Sequence, residues 1–210
     1  MNDGVAPFRE TTASQIAVEA DVVVVGGGGS GLAAAIEAAS LGRRVVLLEK
    51  HTHLGGTTGR SIGSVTATST PHQLRKGILD SPDHHLEDLN LFNAALGAPD
   101  NEALKRILVD NAPETFRWLM AMGIEFHGPM IELPHRKPRM HNVLPNSGAY
   151  IYHLERKARA LGVEIHTSAR VTRLGHGRAA LHGCCLRYAK RSAVLPRARR
   201  CRAGLRRLQR

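Results

Sequence analysis

Cysteine is missing from the first 174 of the 210 residues, because Cys184, Cys185 and Cys201 all fall in the final stretch. This excludes a disulfide framework and a thiol nucleophile from the body of the chain, and it fits a reducing compartment. Long apolar runs are missing too. None approaches the roughly 18 residues of a membrane span, and residues 1–20 lack the charged start and apolar stretch of a signal peptide. A soluble, cytoplasmic protein is the expectation. Acidic residues are missing from residues 175–210, which hold ten Arg and Lys190 with no Asp or Glu. The formal net charge of +11 therefore lies in this tail, since the part before it sets 18 cations against 18 acids. At the earlier acid frequency, about one in ten, such a stretch would be acid-free in about 2% of cases. Two readings stay open. Arg clusters with Cys and Pro are what a G+C-rich gene yields out of frame, which would put a frameshift near Leu174. A real basic arm would instead neutralise nucleic-acid phosphates, with steep salt dependence. The first is taken as the expectation, so nucleic acid is not expected as a partner.

What is present speaks most clearly over residues 21–50, DVVVVGGGGSGLAAAIEAASLGRRVVLLEK. Residues 22–25 are four valines without polar alternation, as in a parallel strand covered on both faces, and a central strand is expected. Gly26, Gly28 and Gly31 follow at G-x-G-x-x-G spacing. The first permits a tight turn, the second lets backbone approach a pyrophosphate, and the third lets helix pack on strand. The free N–H groups and dipole of the helix N-terminus favour the anion, and Ser30 adds a hydroxyl. Residues 32–40 read as a helix with Gly42 just past its end, and residues 45–48 as a second strand. Glu49 closes that strand about 20 residues beyond the glycines, where a carboxylate accepts ribose hydroxyls and disfavours a 2′-phosphate. Together these define a dinucleotide site and leave open which dinucleotide, FAD or NAD.

Residues 1–20 read as a loose lead-in, and the Gly-, Ser- and Thr-rich stretch after Glu49 as a loop. Helical spacing begins at Pro82 and resumes after Asp100. Asn111 and Glu114 predict a separate third helix through Trp118 and Met122, with Pro113 in its first turn. These apolar stripes read as core. Residues 128–147, with four prolines and the basic group His135, Arg136, Lys137, Arg139 and His141, predict an irregular excursion. Ser147 should cap a helix whose face is Ile151, Leu154, Ala158 and Leu161, followed by strands over 163–167 and 171–174. The 12 histidines show no metal-ligand pattern, neither His84 with His85 nor His51 with His53.

With Glu49 followed by Gly55-Gly56-Thr57-Thr58 and Ser61-Ile62-Gly63, the chain resembles the FAD-binding domain of the fumarate reductase and succinate dehydrogenase flavoprotein family, which includes 3-ketosteroid dehydrogenases. The resemblance covers about residues 20–174. It implies a Rossmann-like, three-layer α/β FAD/NAD(P)-binding fold, incomplete here, with an irregular Arg-rich C-terminal tail. The domain plan it implies is a lead-in over 1–20, an FAD-binding domain over 21–174 with a helical insertion at about 82–122, and the tail over 175–210. It further implies an FAD-dependent oxidoreductase that moves a hydride between flavin N5 and an activated C–C bond of a dicarboxylate or 3-oxo-enone. Cofactor contacts are implied for Gly26, Gly28, Ser30, Gly31, Glu49 and Lys50. They are also implied for Gly56, Thr57 and Thr58 at the pyrophosphate and ribityl chain, Ser61, Ile62 and Gly63 at the flavin ring, and Val171 at the adenine. Membrane-bound members of the family attach FAD through a histidine at the position of Thr57, so noncovalent FAD is implied. The His135-Arg136-Lys137-Pro138 run resembles a family segment leading toward the substrate side, but a solvated basic loop is the expectation. The family's capping domain and its catalytic and substrate-binding residues lie beyond Leu174. The 210-residue chain is therefore expected to be a cofactor-binding fragment without turnover, and its catalytic residues are unknown.

Overall fold

Four apolar residues, VVLL, form the middle strand of the principal sheet. The computed structural model describes residues 20–97, 100–176, 181–188 and 191–195. Strands are β1 (Val22–Val25), β2 (Val45–Leu48), β3 (Ser64–Thr66), β4 (Glu125–Met130), β5 (Met140–Leu144), β6 (Glu164–His166), β7 (Ala169–His176), β8 (Leu181–Tyr188) and β9 (Arg191–Leu195). Helices are α1 (Gly29–Ser40), α2 (Pro71–Arg75), α3 (Pro82–Leu96), α4 (Glu102–Ala121) and α5 (Gly148–Ala160). The principal sheet is parallel, in the order β1-β2-β6. All four residues of β2 are buried. Val45 and Leu47 join Leu32, Ile36, Leu154 and Ala158 on the helical side, while Val46 and Leu48 meet Ala169 and Val171 on the other. The fold is therefore three layers: α1 and α5, the parallel sheet, and the antiparallel meander β7-β8-β9.

Two expectations give way here. The central strand of the described sheet is β2, whereas β1 lies at its edge with Val25 57% exposed. An apolar run reports two covered faces, not two paired edges, and β1 has only the first in part. Within the segment expected to be an irregular tail, β8 pairs with β9 in regular register, from Cys184 opposite Leu195 to Tyr188 opposite Arg191, and with β7 from Ala169 opposite Tyr188 through two register shifts. A ladder is made by backbone, and Leu181, Leu186, Tyr188 and Val194 are compatible with it despite the arginines around them. Residues 177–180, 189–190 and 196–210, like most of the lead-in, lie outside the described residues.

The second sheet, ordered β3-β5-β4, replaces most of the excursion expected over 128–147. Its prolines sit where a strand tolerates them. Pro129 lies at the register irregularity between His127 and Met130, Pro134 and Pro138 are in the connection, and Pro145 follows β5. The basic residues of this segment are not all solvated. Arg139 is fully buried, with Nε 2.6 Å and Nη2 2.8 Å from the two carboxylate oxygens of Asp80, and Nη1 against Asp88. Arg136 Nε donates to Asp88 at 2.6 Å and His135 is buried beside them. Burial alone would raise the Asp88 pKa, but the Arg136 backbone N–H and the Arg139 and Arg136 side chains outweigh it and hold the carboxyl down at about 2. The cluster ties α3 to the β4–β5 connection.

The third helix expected from Asn111 does not start there. α4 runs unbroken through Pro113, capped by Asn101, whose Oδ1 accepts from Leu104 N–H at 3.0 Å. Asn111 instead donates to Ile107 O at 2.7 Å. Ser147 does not cap α5 either. Its hydroxyl donates to Gly59 O at 3.1 Å, and Asn146 Oδ1 accepts from Gly148 N–H at 2.9 Å.

Candidate cofactor site

The turn between β1 and α1 brings three of the expected glycines to one place for separable reasons. Gly26 has φ +106°, a conformation that side chains rarely adopt, and its N–H donates to Leu48 O at 2.8 Å. At Gly31 an added Cβ would stand 1.9 Å from Gly26 O, so helix could not lie on strand. Gly28 is the N-cap of α1 with φ −79°, and its added Cβ would meet nothing nearer than Gly55 O at 3.7 Å. Nothing in the protein forbids a side chain at Gly28. It brings no side-chain acceptor of its own to the helix N-terminus, where the first helical N–H, that of Gly29, goes to Thr58 Oγ1 instead.

Glu49, 5% exposed, reaches back under this turn. Its Oε2 accepts from Gly27 N–H at 2.7 Å and its Oε1 from His51 N–H at 2.8 Å. Burial pushes its pKa up, and the two backbone donors more than offset that, so the carboxylate stays ionised below its ordinary range. Each oxygen keeps a lone pair for a ribose diol.

The Gly-Gly-Thr-Thr loop folds onto the same turn. Gly55 N–H donates to Gly27 O at 2.8 Å, Gly28 and Gly55 form a parallel bridge, and Gly29 N–H donates to Thr58 Oγ1 at 3.2 Å. Gly56 lies against Gly28, with φ +51°. From there a cleft of about 530 Å³ opens. Its walls are Gly29, Ser30 and Ala33 of α1, Thr57, Thr58, Ser61 and Gly63 of the loop, Ser64 and Val65 of β3, and side chains of α4 and α5. No lining residue carries a charge, and Tyr150 is the one that titrates.

Of the expected contacts, Ser30, Thr57, Thr58, Ser61 and Gly63 line the cleft, while Gly26, Gly28, Gly31, Glu49 and Gly56 build the turn at its end. Three do not join them. Lys50 is exposed, Ile62 is 86% exposed outside the lining, and Val171 packs with Val23, Val46 and Leu48 on the far face of the sheet. His51 and His53 are exposed, their rings stacked with centroids 6.3 Å apart. Reading the sequence missed Thr115, Trp118, Tyr150 and Leu154, which reach the cleft from α4 and α5. Trp118 was legible only as core, and it does pack against the main cluster while also facing the cleft.

A parallel strand, glycine turn, helix and acid-terminated second strand define a dinucleotide-binding α/β domain. The family described as FAD binding domain matches residues 21–203, and the chain belongs to it. FAD, rather than NAD, is thus the cofactor to test against the site, and the residues fit it: Gly28 leaves open space beside Gly29 and Ser30 of the cleft wall, and the cleft is uncharged and mostly apolar, with hydroxyls from Ser30, Thr57, Thr58 and Ser61. The cytochrome fumarate reductase of Shewanella frigidimarina is 37% identical over 105 residues, 50% of this chain and 18% of that protein. The acrylate reductase flavoprotein subunit of Shewanella woodyi is 34% identical over 155 residues, 72% of this chain and 30% of that protein. The structure of 3-ketosteroid-Δ4-(5α)-dehydrogenase from Rhodococcus jostii RHA1 superposes with a TM-score of 0.75 at 26% identity, covering 90% of this chain and 46% of that one. The chain thus spans less than half the length of each. Among the described residues, no helix is long and apolar enough to cross a membrane.

Proposed function

We propose that the chain holds FAD noncovalently as the cofactor-binding part of an oxidoreductase of the fumarate reductase and succinate dehydrogenase flavoprotein type, acting on a small molecule with an activated C–C bond. The observation that carries this reading is Gly28, an N-cap of α1 with no side chain of its own and open space around it, directly before Gly29 and Ser30 of the cleft wall. Dicarboxylates and 3-oxo-enones are the substrate classes to try, since fumarate reductase, acrylate reductase and a ketosteroid dehydrogenase are among the relatives. When bound, FAD supplies hydride chemistry at N5. The chain's part is to accept the ribose at Glu49, the pyrophosphate at Gly28 and the first turn of α1, and the ring beside Ser61 and Gly63. Thr57 stands in the cleft where covalent attachment would need a stronger nucleophile.

Reduction of an alkene also needs a proton donor. The one titrating group on the described cleft wall, Tyr150, is pushed up to about 12 by burial and gives its hydroxyl to Gly63 O. Tyr150 is thereby engaged within the fold, and the 210-residue chain is proposed to bind FAD without turnover. Titration calorimetry with FAD and NAD tests the cofactor: FAD should bind tighter and leave the chain on acid denaturation. Equal or stronger NAD binding would sink the FAD reading, a flavin retained by the denatured chain would sink noncovalent attachment, and fumarate-dependent flavin reoxidation would sink the absence of turnover.

A further inference from the structure

We infer that the Tyr150 hydroxyl is a positioning group for the flavin end of the cofactor, an inference that rests on the FAD reading above. The loop over residues 55–63 contains Gly55, Gly56, Gly59 and Gly63 and few side chains that could fix its shape. Its shape is imposed by the start of α5. Ser147 Oγ donates to Gly59 O at 3.1 Å, Ile151 lies against Gly55 and Gly59, and Tyr150 Oη donates to Gly63 O at 2.8 Å.

Gly63 is buried with φ +85°, and an added Cβ would stand 2.5 Å from Val143 Cγ1. A glycine so placed can turn its peptide plane at little cost unless something holds the carbonyl. Here two donors do, Tyr150 Oη and, at 3.4 Å, Val143 N–H. Across a trans peptide the carbonyl and the next N–H point in opposite directions. With Gly63 O drawn toward α5 and β5, the Ser64 N–H is turned to the other edge of β3, which has no strand partner among the described residues. Gly63 and Ser64 both line the cleft. A fixed backbone donor at that edge suits the nitrogen and oxygen acceptors of an isoalloxazine ring, and it would contribute nothing to the adenine half of the molecule.

The plainer alternative is a core tyrosine whose hydroxyl only needs a partner, since its ring packs 6.1 Å from Phe126. FAD and ADP separate the two, because ADP keeps the adenosine and pyrophosphate and lacks the flavin. Tyr150→Phe preserves the ring and removes the hydroxyl. Its FAD affinity should fall about 3- to 10-fold, the scale of one hydrogen bond, while ADP affinity stays within about twofold. The absorption band of bound flavin should move toward that of free FAD. Unchanged FAD affinity and spectrum would overturn the inference, as would FAD and ADP affinities falling in parallel. If the wild-type chain binds no FAD, the FAD reading itself fails and takes this inference with it. Should Tyr150→Phe not fold, 3-fluorotyrosine at position 150 keeps both ring and hydroxyl but strengthens the donor, and an unshifted flavin band would then overturn the inference.

Discussion

An added methyl at Gly31 would overlap the Gly26 carbonyl at 1.9 Å, whereas at Gly28 it would meet only Gly55 O at 3.7 Å. The two residues belong to one motif and should fail in different ways. Gly31→Ala should destabilise the fold by about 1–3 kcal/mol or more, because helix and strand must separate to admit the methyl. Gly28→Ala should leave the melting temperature nearly unchanged and weaken FAD about tenfold or more, by blocking the pyrophosphate. Thermal melts and FAD titrations on both variants check this, and a Gly28→Ala protein that keeps its FAD affinity would refute the placement. These demands were legible in the sequence because each is local: a turn, a helix start, an acid at a strand end. Tyr150 was not, since its partner Gly63 is 87 positions away and nothing in the spacing of α5 distinguishes a cleft tyrosine from a core one.

At the scale of elements, the contact of α3 with the β4–β5 connection rests on buried polar groups. Arg139 is satisfied by Asp80 and Asp88, but neither ring nitrogen of His85, buried on α3 beside this cluster, has a partner. Burial first, then the Arg139 charge and His135, pulls the His85 pKa from 6.5 down to about 4. The fold thus holds this imidazole neutral. The stability that depends on its staying neutral is fully present above pH 6.5 and is lost as the pH falls toward about 4, and His141 behaves alike. Urea midpoints should therefore drop across that window, before Asp88, held at about 2, begins to matter. His85→Leu should raise stability at pH 7 by about 1 kcal/mol, because it removes two orphaned nitrogens, and should flatten the slope. An unchanged slope would show that His85 is not responsible. Helices α1, α3 and α5 were readable from their spacing and end residues. The continuity of α4 was not, since Asn111, Pro113 and Glu114 imitate a helix start and tertiary packing overrides them. β4 and β5 were hidden by prolines that only a register irregularity and a long connection make tolerable.

For the molecule as a whole, the meander matters more than its composition suggested. β7 covers β2 through Ala169 and Val171, and β7 in turn has β8 along its edge. The family match also continues to residue 203, well past the point where acidic residues cease. Ending the chain after His176 should therefore lower the melting temperature by several degrees, at about 2–4 °C per kcal/mol for a domain of this size. An unaltered melt would mean that the basic segment contributes nothing to the fold. The bridge between Gly28 and Gly55 bears on time rather than stability. It joins two loops 27 positions apart into one rigid lip, with Gly27 and Thr58 as further fastenings. A lip already in place has no ordering step to wait for when a ligand arrives. Variants of this site should differ little in how fast FAD is captured and greatly in how long it stays.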